Sequence, residues 1–359
     1  MKQLNTTNLI GSLAIAACLA FTIGCGSSSD STQTPSFSLA WSEYPSWSVF
    51  GVAHVSNLID GAEGKFGPIE EKWNVDIVLH EADYDSCLTM YGSSQADAAC
   101  LTNMDALNPA LSRPSVMILP TSTSAGADAC IVTEAIKSVT DLRGKKVLGL
   151  EKTVSEYCFV RNLEILGEKE ADYNFSNMDP GAAAVAMQQK QDSVEAIVVW
   201  NPFAMETLNK RPDTKVLFDS TAIPNEIIDA VIVSQESLQK PGGEDFACAV
   251  IDAFYAVNQR IADPETRDDT LVALGEKFSH LDLESMKTVV KQTKFFGTPA
   301  EGKAILTGSE LPEIMKKVTA FCIAHEIVER EPGLAYGSEG TGELRFDASY
   351  IDLVTAKAQ

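Results

Sequence analysis

Basic residues and histidine are scarce in this chain, and their scarcity argues against several kinds of partner. The 359 residues include 28 lysines and arginines but 50 aspartates and glutamates, so the formal net charge is −22 at pH 7. Nucleic acids and anionic lipid surfaces attract clusters of basic side chains, so we expect no nucleic-acid partner. Acidity also has a simpler explanation, because a high net charge keeps a protein soluble.

Motifs for catalysis, cofactors and metals are also missing. The sequence contains no Gly-x-Ser-x-Gly turn, no glycine-rich phosphate loop and no His-Glu-x-x-His helix. The only histidines are His54, His80, His280 and His325. They show no zinc-ligand spacing, either with one another or with the cysteines. The sequence therefore predicts no cofactor, no metal and no catalytic residue, and His325 is interpreted as part of a helix surface.

Cysteine is present, but not in a recognisable framework. No Cys-x-x-Cys pair occurs, and six cysteines follow the N-terminal segment: Cys87, Cys100, Cys130, Cys158, Cys248 and Cys322. An oxidising compartment would permit disulfides. Cys248 and Cys322 both lie in helical patterns, so a bridge between them across a helix packing is one possibility.

The N-terminal segment has the pattern of an export signal. A basic start at Lys2 precedes an uncharged apolar run over residues 9–23, which is shorter than the roughly 20 residues of a spanning helix. A cysteine closing such a run is similar to a bacterial lipoprotein site. We expect a signal peptide over residues 1–24, acylation of Cys25 and a flexible Ser/Thr-rich tether over residues 25–35. Acylation at Cys18 and a fully cleaved, unanchored product are the alternatives.

Short apolar runs alternate with longer helical patterns, which predicts an α/β fold. Strands are expected at residues 37–41, 75–80, 98–101, 116–119, 129–132, 146–150, 196–200 and 230–233. Helices are expected at residues 83–91, 155–166, 181–190 and 202–209. From Glu244 to about residue 344 the pattern is almost wholly helical.

The length of the chain predicts two lobes, because one hydrophobic core rarely serves more than 300 residues. The small, polar segment 120–128 and the segment 221–229 each join two strand-like runs. We interpret them as two hinge crossings. Lobe 1 would then comprise residues 36–121 and 230–359, and lobe 2 would comprise residues 122–229. Closure about such a hinge is a common response to a ligand.

Ligands of open α/β sheets bind at the carboxyl ends of the strands, so the residues following each strand are the candidates. They are Trp41, Glu43, Tyr44, Trp47, Asn103, Asp105, Ser155, Trp200, Asn201, Glu226 and Asp229. Each has a structural alternative. Ser155 or Thr153 could be a helix N-cap, Asp105 could complement a helix dipole, and the tryptophans could be core residues.

The chemistry of these candidates favours a ligand that donates hydrogen bonds. Carboxylates beside aromatic faces suit a planar amide, a guanidinium ion or an amine. An anion would be costly among several carboxylates, and the strand-end segments offer only Lys152 as a cation. A small oxyanion such as nitrate, bicarbonate or a sulfonate is the alternative ligand.

Three stretches of the chain carry a resemblance to a known family. They are residues 141–147 (DLRGKKV), residues 194–202 (VEAIVVWNP) and residues 346–351 (FDASYI). Over nearly all of residues 36–359 the chain resembles the periplasmic solute-binding proteins of ABC importers in the nitrate, sulfonate, bicarbonate and taurine group, which is related to the thiamine-precursor-binding type. Residues 40–44, 101–107, 200–202 and 223–229 further resemble the urea-type subgroup associated with urea carboxylase genes.

The resemblance implies a type II periplasmic-binding-protein fold and a monomeric receptor that delivers a small molecule to a membrane permease and its ATPase. With a lipid anchor, such a receptor would lie on the periplasmic face of the cytoplasmic membrane or on the cell surface. The resemblance leaves open two alternatives that belong to other functional classes. One is a pyrimidine-synthase-like enzyme, which would need histidine at the site. The other is a sensor that passes its ligand signal to a membrane receptor.

Overall fold

The computed structural model describes residues 34–191, 194–278 and 281–357. The predicted signal peptide, Cys25 and nearly all of the tether lie outside these residues, as does His280. The described residues form two β-sheets surrounded by helices, so the predicted α/β class is confirmed. No helix within the described ranges is long and apolar enough to cross a membrane.

Thirteen strands are found in the described part of the chain. They are β1 Ser36–Trp41, β2 Asp76–Glu81, β3 Ala98–Thr102, β4 Ser115–Ser124, β5 Asp128–Thr133, β6 Lys146–Gly149, β7 Asn174–Asn177, β8 Ala196–Trp200, β9 Thr214–Asp219, β10 Ile228–Ser234, β11 Thr293–Phe295, β12 Leu334–Tyr336 and β13 Leu344–Phe346. Sheet 1 has the order β12-β13-β4-β10-β3-β1-β2, with β11 added to β4, and sheet 2 has the order β7-β6-β8-β5-β9.

Fourteen α-helices accompany these strands within the described ranges. They are α1 Val49–Val55, α2 Pro68–Trp73, α3 Tyr84–Gly92, α4 Leu107–Ser112, α5 Val154–Ile165, α6 Pro180–Gln188, α7 Phe203–Lys210, α8 Gln235–Gln239, α9 Gly243–Ala262, α10 Arg267–Phe278, α11 Leu283–Gln292, α12 Pro299–Thr307, α13 Leu311–Ala324 and α14 Ser349–Lys357. All four predicted helices and all eight predicted strands are present, with ends shifted by a few residues.

The central strands of both sheets are buried on both faces, which explains why they were recognisable in the sequence. Every residue of β3, β5, β8 and β10 is buried. Helices cover both faces of such strands, so the strands are mostly Ala, Val, Ile, Leu and Cys, with polar residues at their ends, and show no alternating pattern.

The interpretation of residues 120–124 as connecting chain is wrong, because β4 continues through them to Ser124. Their small hydroxyl side chains are buried, and each has a partner. Ser122 donates to Asp229 at 2.5 Å, Thr123 donates to the carbonyl of Ile227 at 2.7 Å, and Ser124 pairs with Ser220 at 2.7 Å. Polar residues can therefore complete a buried strand when neighbouring elements satisfy their hydroxyls.

The chain passes between the sheets twice. The first crossing occupies residues 125–127, where Gly126 has φ +103°, a conformation that favours glycine. The second lies between Asp219 and Ile228. Both crossings are shorter than the segments predicted from the sequence, and the division into lobes at residues 121 and 229 stays a prediction.

Two further expectations require correction. The region after Glu244 is not helical throughout, because β11 and β12 interrupt it. Strands of three residues are too short to show a periodic pattern. Cys248 and Cys322 do not form a bridge, since all six cysteines in the described residues are free and buried.

Candidate functional site

A small, partly open chamber lies between the two sheets, and the space between its atoms, open solvent included, is about 250 Å³. Its walls come from both sheets. The lining residues are Tyr44, Trp47, Tyr84, Thr102, Asp128, Val154, Trp200 and Asp229. The chamber is therefore lined by residues from each side of the two crossings.

Sheet topology explains why these residues meet. Thr102 and Trp200 end β3 and β8, so they lie at the carboxyl edges of the two sheets. Strands β10 and β5 run antiparallel to these two, which brings their first residues to the same edges. Asp229 thus pairs with Thr102, and Asp128 pairs with Trp200.

Three carboxyl groups are buried in and beside the chamber. Burial raises the pKa of Asp128 to about 7, and the nearby Asp105 raises it further against the effect of a hydrogen bond with Ser124. Burial also raises the pKa of Asp229 well above its usual range, with smaller contributions from Asp128 and Asp105. Asp128 and Asp229 are each 2% exposed. Ionised carboxylates in the chamber are therefore electrostatically unfavourable, and the raised pKa values favour their protonated forms.

Asp105 is the third of these groups, and it lies behind the chamber wall. Its carboxylate accepts hydrogen bonds from the hydroxyls of Tyr84 at 2.7 Å and Thr102 at 2.8 Å. Burial raises the pKa of Asp105 to about 6 although both hydrogen bonds oppose the shift. Because Tyr84 and Thr102 both line the chamber, Asp105 orients two of the groups that a ligand would meet.

Aromatic rings form a continuous wall across the two halves of the chamber. The rings of Trp47 and Tyr84 are stacked, with centroids 5.5 Å apart and an interplanar angle of 10°. Trp200, from sheet 2, meets Tyr84 edge-on at 6.0 Å. Tyr44 packs against Trp47 at 4.8 Å. Such faces attract cations and planar π-systems.

Several polar atoms of the chamber lack a partner. The Tyr44 hydroxyl, Trp47 Nε1 and Asp128 Oδ1 are buried without a hydrogen bond of normal geometry. Burial, together with the charges of Asp229 and Asp128, raises the pKa of Tyr44 well above its usual range. Unpaired buried polar atoms are costly, so these two donors and one acceptor indicate a place for a polar ligand.

A wider vestibule adjoins the chamber and shares Tyr84 and Trp200 with it. It encloses about 850 Å³ of space, including part of the open cleft. No basic residue in the described part of the chain lines it. Its five acidic lining residues are Glu43, Glu81, Asp83, Asp85 and Asp179. A concave surface of one charge sign concentrates ions of the opposite charge.

The structure brings together five of the eleven predicted site residues. Four of them, Tyr44, Trp47, Trp200 and Asp229, line the chamber. The fifth, Glu43, lines the vestibule. The other six lie outside both linings: Trp41, Asn103, Asp105, Ser155, Asn201 and Glu226.

Glu226 differs most from its expected role. The sequence suggested an uncompensated carboxylate, but Arg161 pairs with it at 2.9 Å, Lys317 at 3.2 Å, and Tyr157 donates to it at 2.6 Å. Although burial opposes ionisation, the hydrogen bonds from Arg161 and Tyr157 lower the pKa of Glu226 to about 2. Its charge is therefore neutralised within the protein.

Asn103, Asn201 and Trp41 also have structural surroundings. The Asn103 side chain bonds to the backbone at residues 226 and 228, and the Asn201 side chain bonds to Gln292 and to the backbone at residue 205. Trp41 is 1% exposed and packs so closely on Gly51 that a Cβ there would lie 2.9 Å from the ring. These residues support the edges of the strands rather than the chamber surface.

Thr153, not Ser155, is the N-cap of α5, because its side chain accepts a hydrogen bond from the backbone amide of residue 155. The Ser155 hydroxyl is buried without a partner. Lys152, the only basic residue of the strand-end segments, reaches the carbonyl of Glu326 at 3.4 Å and lines neither the chamber nor the vestibule.

Sequence reasoning missed four residues of the chamber: Tyr84, Thr102, Asp128 and Val154. Thr102 and Val154 stood next to predicted residues. Asp128 begins a strand instead of ending one, and only its antiparallel pairing with Trp200 brings it to the site. Tyr84 follows the acidic N-cap Asp83 of α3, a signal that marks a helix start but not a ligand contact.

No family model matches the chain. Proteins of Brucella abortus and Brucella suis that carry the provisional description of a binding protein are 24% identical to this chain over 259 residues. The matched region covers 66% of this chain and 78% of each relative.

Solved structures provide a broader comparison. The periplasmic aliphatic sulphonate binding protein SsuA of Escherichia coli has a TM-score of 0.65 and 17% identity, and the match covers 83% of this chain and 90% of that one. The alkanesulfonate-binding protein SsuA of Xanthomonas axonopodis pv. citri, bound to MOPS, has a TM-score of 0.65 and 14% identity, and the match covers 82% of this chain and 95% of that one. The predicted periplasmic-binding-protein fold, with two crossings and a mainly helical C-terminal part, is thus confirmed.

Proposed function

We propose that this protein is the solute-binding receptor of an ABC importer and that its chamber captures a small, planar nitrogen compound of the guanidinium, urea or amine type. The observation that carries the ligand class is the pair of buried acids, Asp128 and Asp229, in a chamber whose described lining includes no lysine, arginine or histidine. A bound cation would supply the missing charge, and N–H groups would supply the missing hydrogen bonds.

The receptor role is supported by the fold and by the position of the chamber between two sheets joined by two crossings. A ligand that contacts both sides stabilises the closed arrangement because it binds that arrangement more tightly. A permease and its ATPase would then recognise the closed form. Under this proposal the protein lies outside the cytoplasmic membrane, anchored through an acylated Cys25.

A small oxyanion is the second candidate ligand. The α5 helix begins at the chamber with Val154, and a helix N-terminus favours negative charge. The similar structures named above are sulfonate-binding proteins. Against this candidate, an anion would lie beside Asp128 and Asp229 and would require both to be protonated.

An enzymatic role has less support from the geometry. The pyrimidine-synthase alternative requires histidine at the site, and none of the described histidines lines the chamber or the vestibule. A sensor role would use the same capture step, and it would be distinguished by the partner that the closed protein binds.

The test is a calorimetric titration of the purified protein with guanidinium, urea, methylamine, nitrate, bicarbonate, taurine and an alkanesulfonate. We expect guanidinium or another N–H donor to bind, and we expect Asp229→Asn and Trp200→Ala to weaken binding by about 100-fold, because each removes a buried contact. Glu329→Gln, an exposed carboxylate that lines neither cavity, is the matched control. Binding of nitrate or a sulfonate alone would overturn the ligand class, and unchanged affinity in both variants would overturn the site.

A further inference from the structure

Three potential metal ligands come together outside the chamber and the vestibule. Glu156 lies in the first turn of α5, Glu170 begins a 3₁₀ helix, Glu170–Asp172, and His325 follows the last residue of α13. One ligand atom from each lies within 4.8 Å of the other two. The three residues are distant in sequence, so no spacing rule could have identified them.

Both carboxylates lie close to the imidazole, each beside a different ring nitrogen. His325 Nε2 lies 3.4 Å from Glu170 Oε2, and His325 Nδ1 lies 3.5 Å from Glu156 Oε1. Tetrahedral zinc, with bonds of about 2.0–2.2 Å, holds neighbouring donor atoms roughly 3.3–3.6 Å apart. A metal takes one nitrogen of an imidazole, so one carboxylate would have to move towards the nitrogen that the other faces, from a present separation of the ligand atoms of up to 4.8 Å.

Neighbouring groups already orient two of the three ligands. The His325 ring is stacked on Phe321, with centroids 3.9 Å apart and an interplanar angle of 23°. The backbone amide of Lys152 donates to Glu156 Oε2 at 2.6 Å, which leaves Oε1 directed at the imidazole. Supporting contacts of this kind fix ligand geometry in metal sites.

The cluster is accessible to an ion from solvent. The side chains of Glu156 and His325 are 13% and 15% exposed, and that of Glu170 is 49% exposed. The site is therefore partly desolvated on one side and open on the other, which leaves room for a water molecule as a fourth ligand.

We propose that Glu156, Glu170 and His325 form a binding site for a divalent transition-metal ion, with Zn²⁺ as the best match. One imidazole nitrogen and two carboxylate oxygens suit Zn²⁺, whereas Mg²⁺ and Ca²⁺ prefer six or more oxygen ligands. Because α5 packs on sheet 2 and α13 follows the second crossing, the ion would join the two parts of the chain beside the cleft.

The same distances would also suit an imidazolium ion held between two carboxylates without a metal, and a titration separates these possibilities. The purified protein, freed of metal with a chelator, is titrated calorimetrically with ZnCl₂ and separately with MgCl₂. Variants are His325→Ala and the isosteric Glu156→Gln. The matched control is His54→Ala, which removes an exposed histidine of α1 outside the cluster.

We expect one Zn²⁺ site that binds at least 100-fold more tightly than Mg²⁺. His325→Ala should weaken Zn²⁺ binding by about 100-fold and Glu156→Gln by about 10-fold, because losing even a supporting contact costs a metal site about 10- to 100-fold. His54→Ala should leave it unchanged. Zn²⁺ binding no tighter than Mg²⁺ binding, or equal Zn²⁺ affinity in wild type and Glu156→Gln, would overturn the proposal. Melting curves without metal confirm that each variant is folded.

Discussion

The buried acids Glu226, Asp128 and Asp229 differ in how their charge is balanced. Glu226 is paired with Arg161 and Lys317. Asp128 and Asp229 have no basic partner among the described residues that line the chamber. Opposite pKa shifts follow, because the pKa of Glu226 falls to about 2 and that of Asp128 rises to about 7.

The difference in pKa shift distinguishes a carboxylate with a structural role from one whose charge a ligand could balance. A buried charge with internal partners stabilises the arrangement around it, and removing one partner is costly. A buried charge without partners destabilises the free protein and becomes favourable only when a ligand supplies the opposite charge. The cost at Asp128 and Asp229 is therefore the strongest physical argument for a cationic ligand.

The largest expected effect is stabilisation of the free protein by Asp128→Asn. Folding raises the pKa of Asp128 from 3.8 to about 7, so below pH 3.8 its ionisation does not lower the free energy of unfolding. Above that pH the destabilisation grows, and it levels off once the pH passes about 7. At pH 8 the variant should be more stable than the wild type by up to about 4 kcal/mol, and at pH 4 the two should be similar. Urea denaturation at both pH values measures the difference in stability. A variant less stable than the wild type at pH 8 would show that the Asp128 carboxylate is not a destabilising charge.

The opposite sign is expected for Glu226→Gln, which should lower the free energy of unfolding at pH 7 by about 1–3 kcal/mol. The folded-state pKa of Glu226 is lowered, so its contribution is present above the unfolded value of 4.5 and is lost as the pH falls towards 2. The difference from wild type should therefore shrink at pH 3. Ligand affinity should change less than threefold. Loss of ligand binding without loss of stability would show that Glu226 contacts the ligand after all.

A smaller effect should appear in the pH dependence of binding. A guanidinium ion needs the ionised form of Asp128, so its affinity should fall by up to about tenfold for each pH unit below about 7 and level off above it. Urea carries no charge, so its affinity should depend on pH much less. Calorimetry at pH 5, 6, 7 and 8 compares the two, and a guanidinium affinity that rises on acidification would contradict the proposal.

The smallest effect is expected at Tyr44, whose hydroxyl has no partner of normal geometry although Asp128 and Asp229 lie nearby. Tyr44→Phe should change the stability of the free protein by less than about 1 kcal/mol, because the contact of the hydroxyl with Asp229 lacks normal hydrogen-bond geometry. It should still weaken ligand binding a few-fold if the hydroxyl contacts the ligand. Equal affinity in both proteins would show that Tyr44 contributes only its ring.

Prediction from the sequence succeeded where local pattern and burial agree. Strands such as β8 and β10 are largely apolar and fully buried, and both were recognised from the sequence. It failed at the extension of β4 to Ser124, where buried hydroxyls resemble a polar loop. Their hydrogen-bond partners come from residues about 100 positions away, which no local window contains.

By itself, the sequence determined the α/β class and the eight main strands, because burial and strand periodicity are visible in the local pattern, while a ligand site at Trp47, Trp200 and Asp229 stays a prediction. Only the tertiary structure decided which acids are compensated. Arg161 lies 65 residues from Glu226, and Lys317 lies 91 residues from it. The charge balance of a buried group depends on neighbours in space, which long-range packing sets and linear spacing does not record.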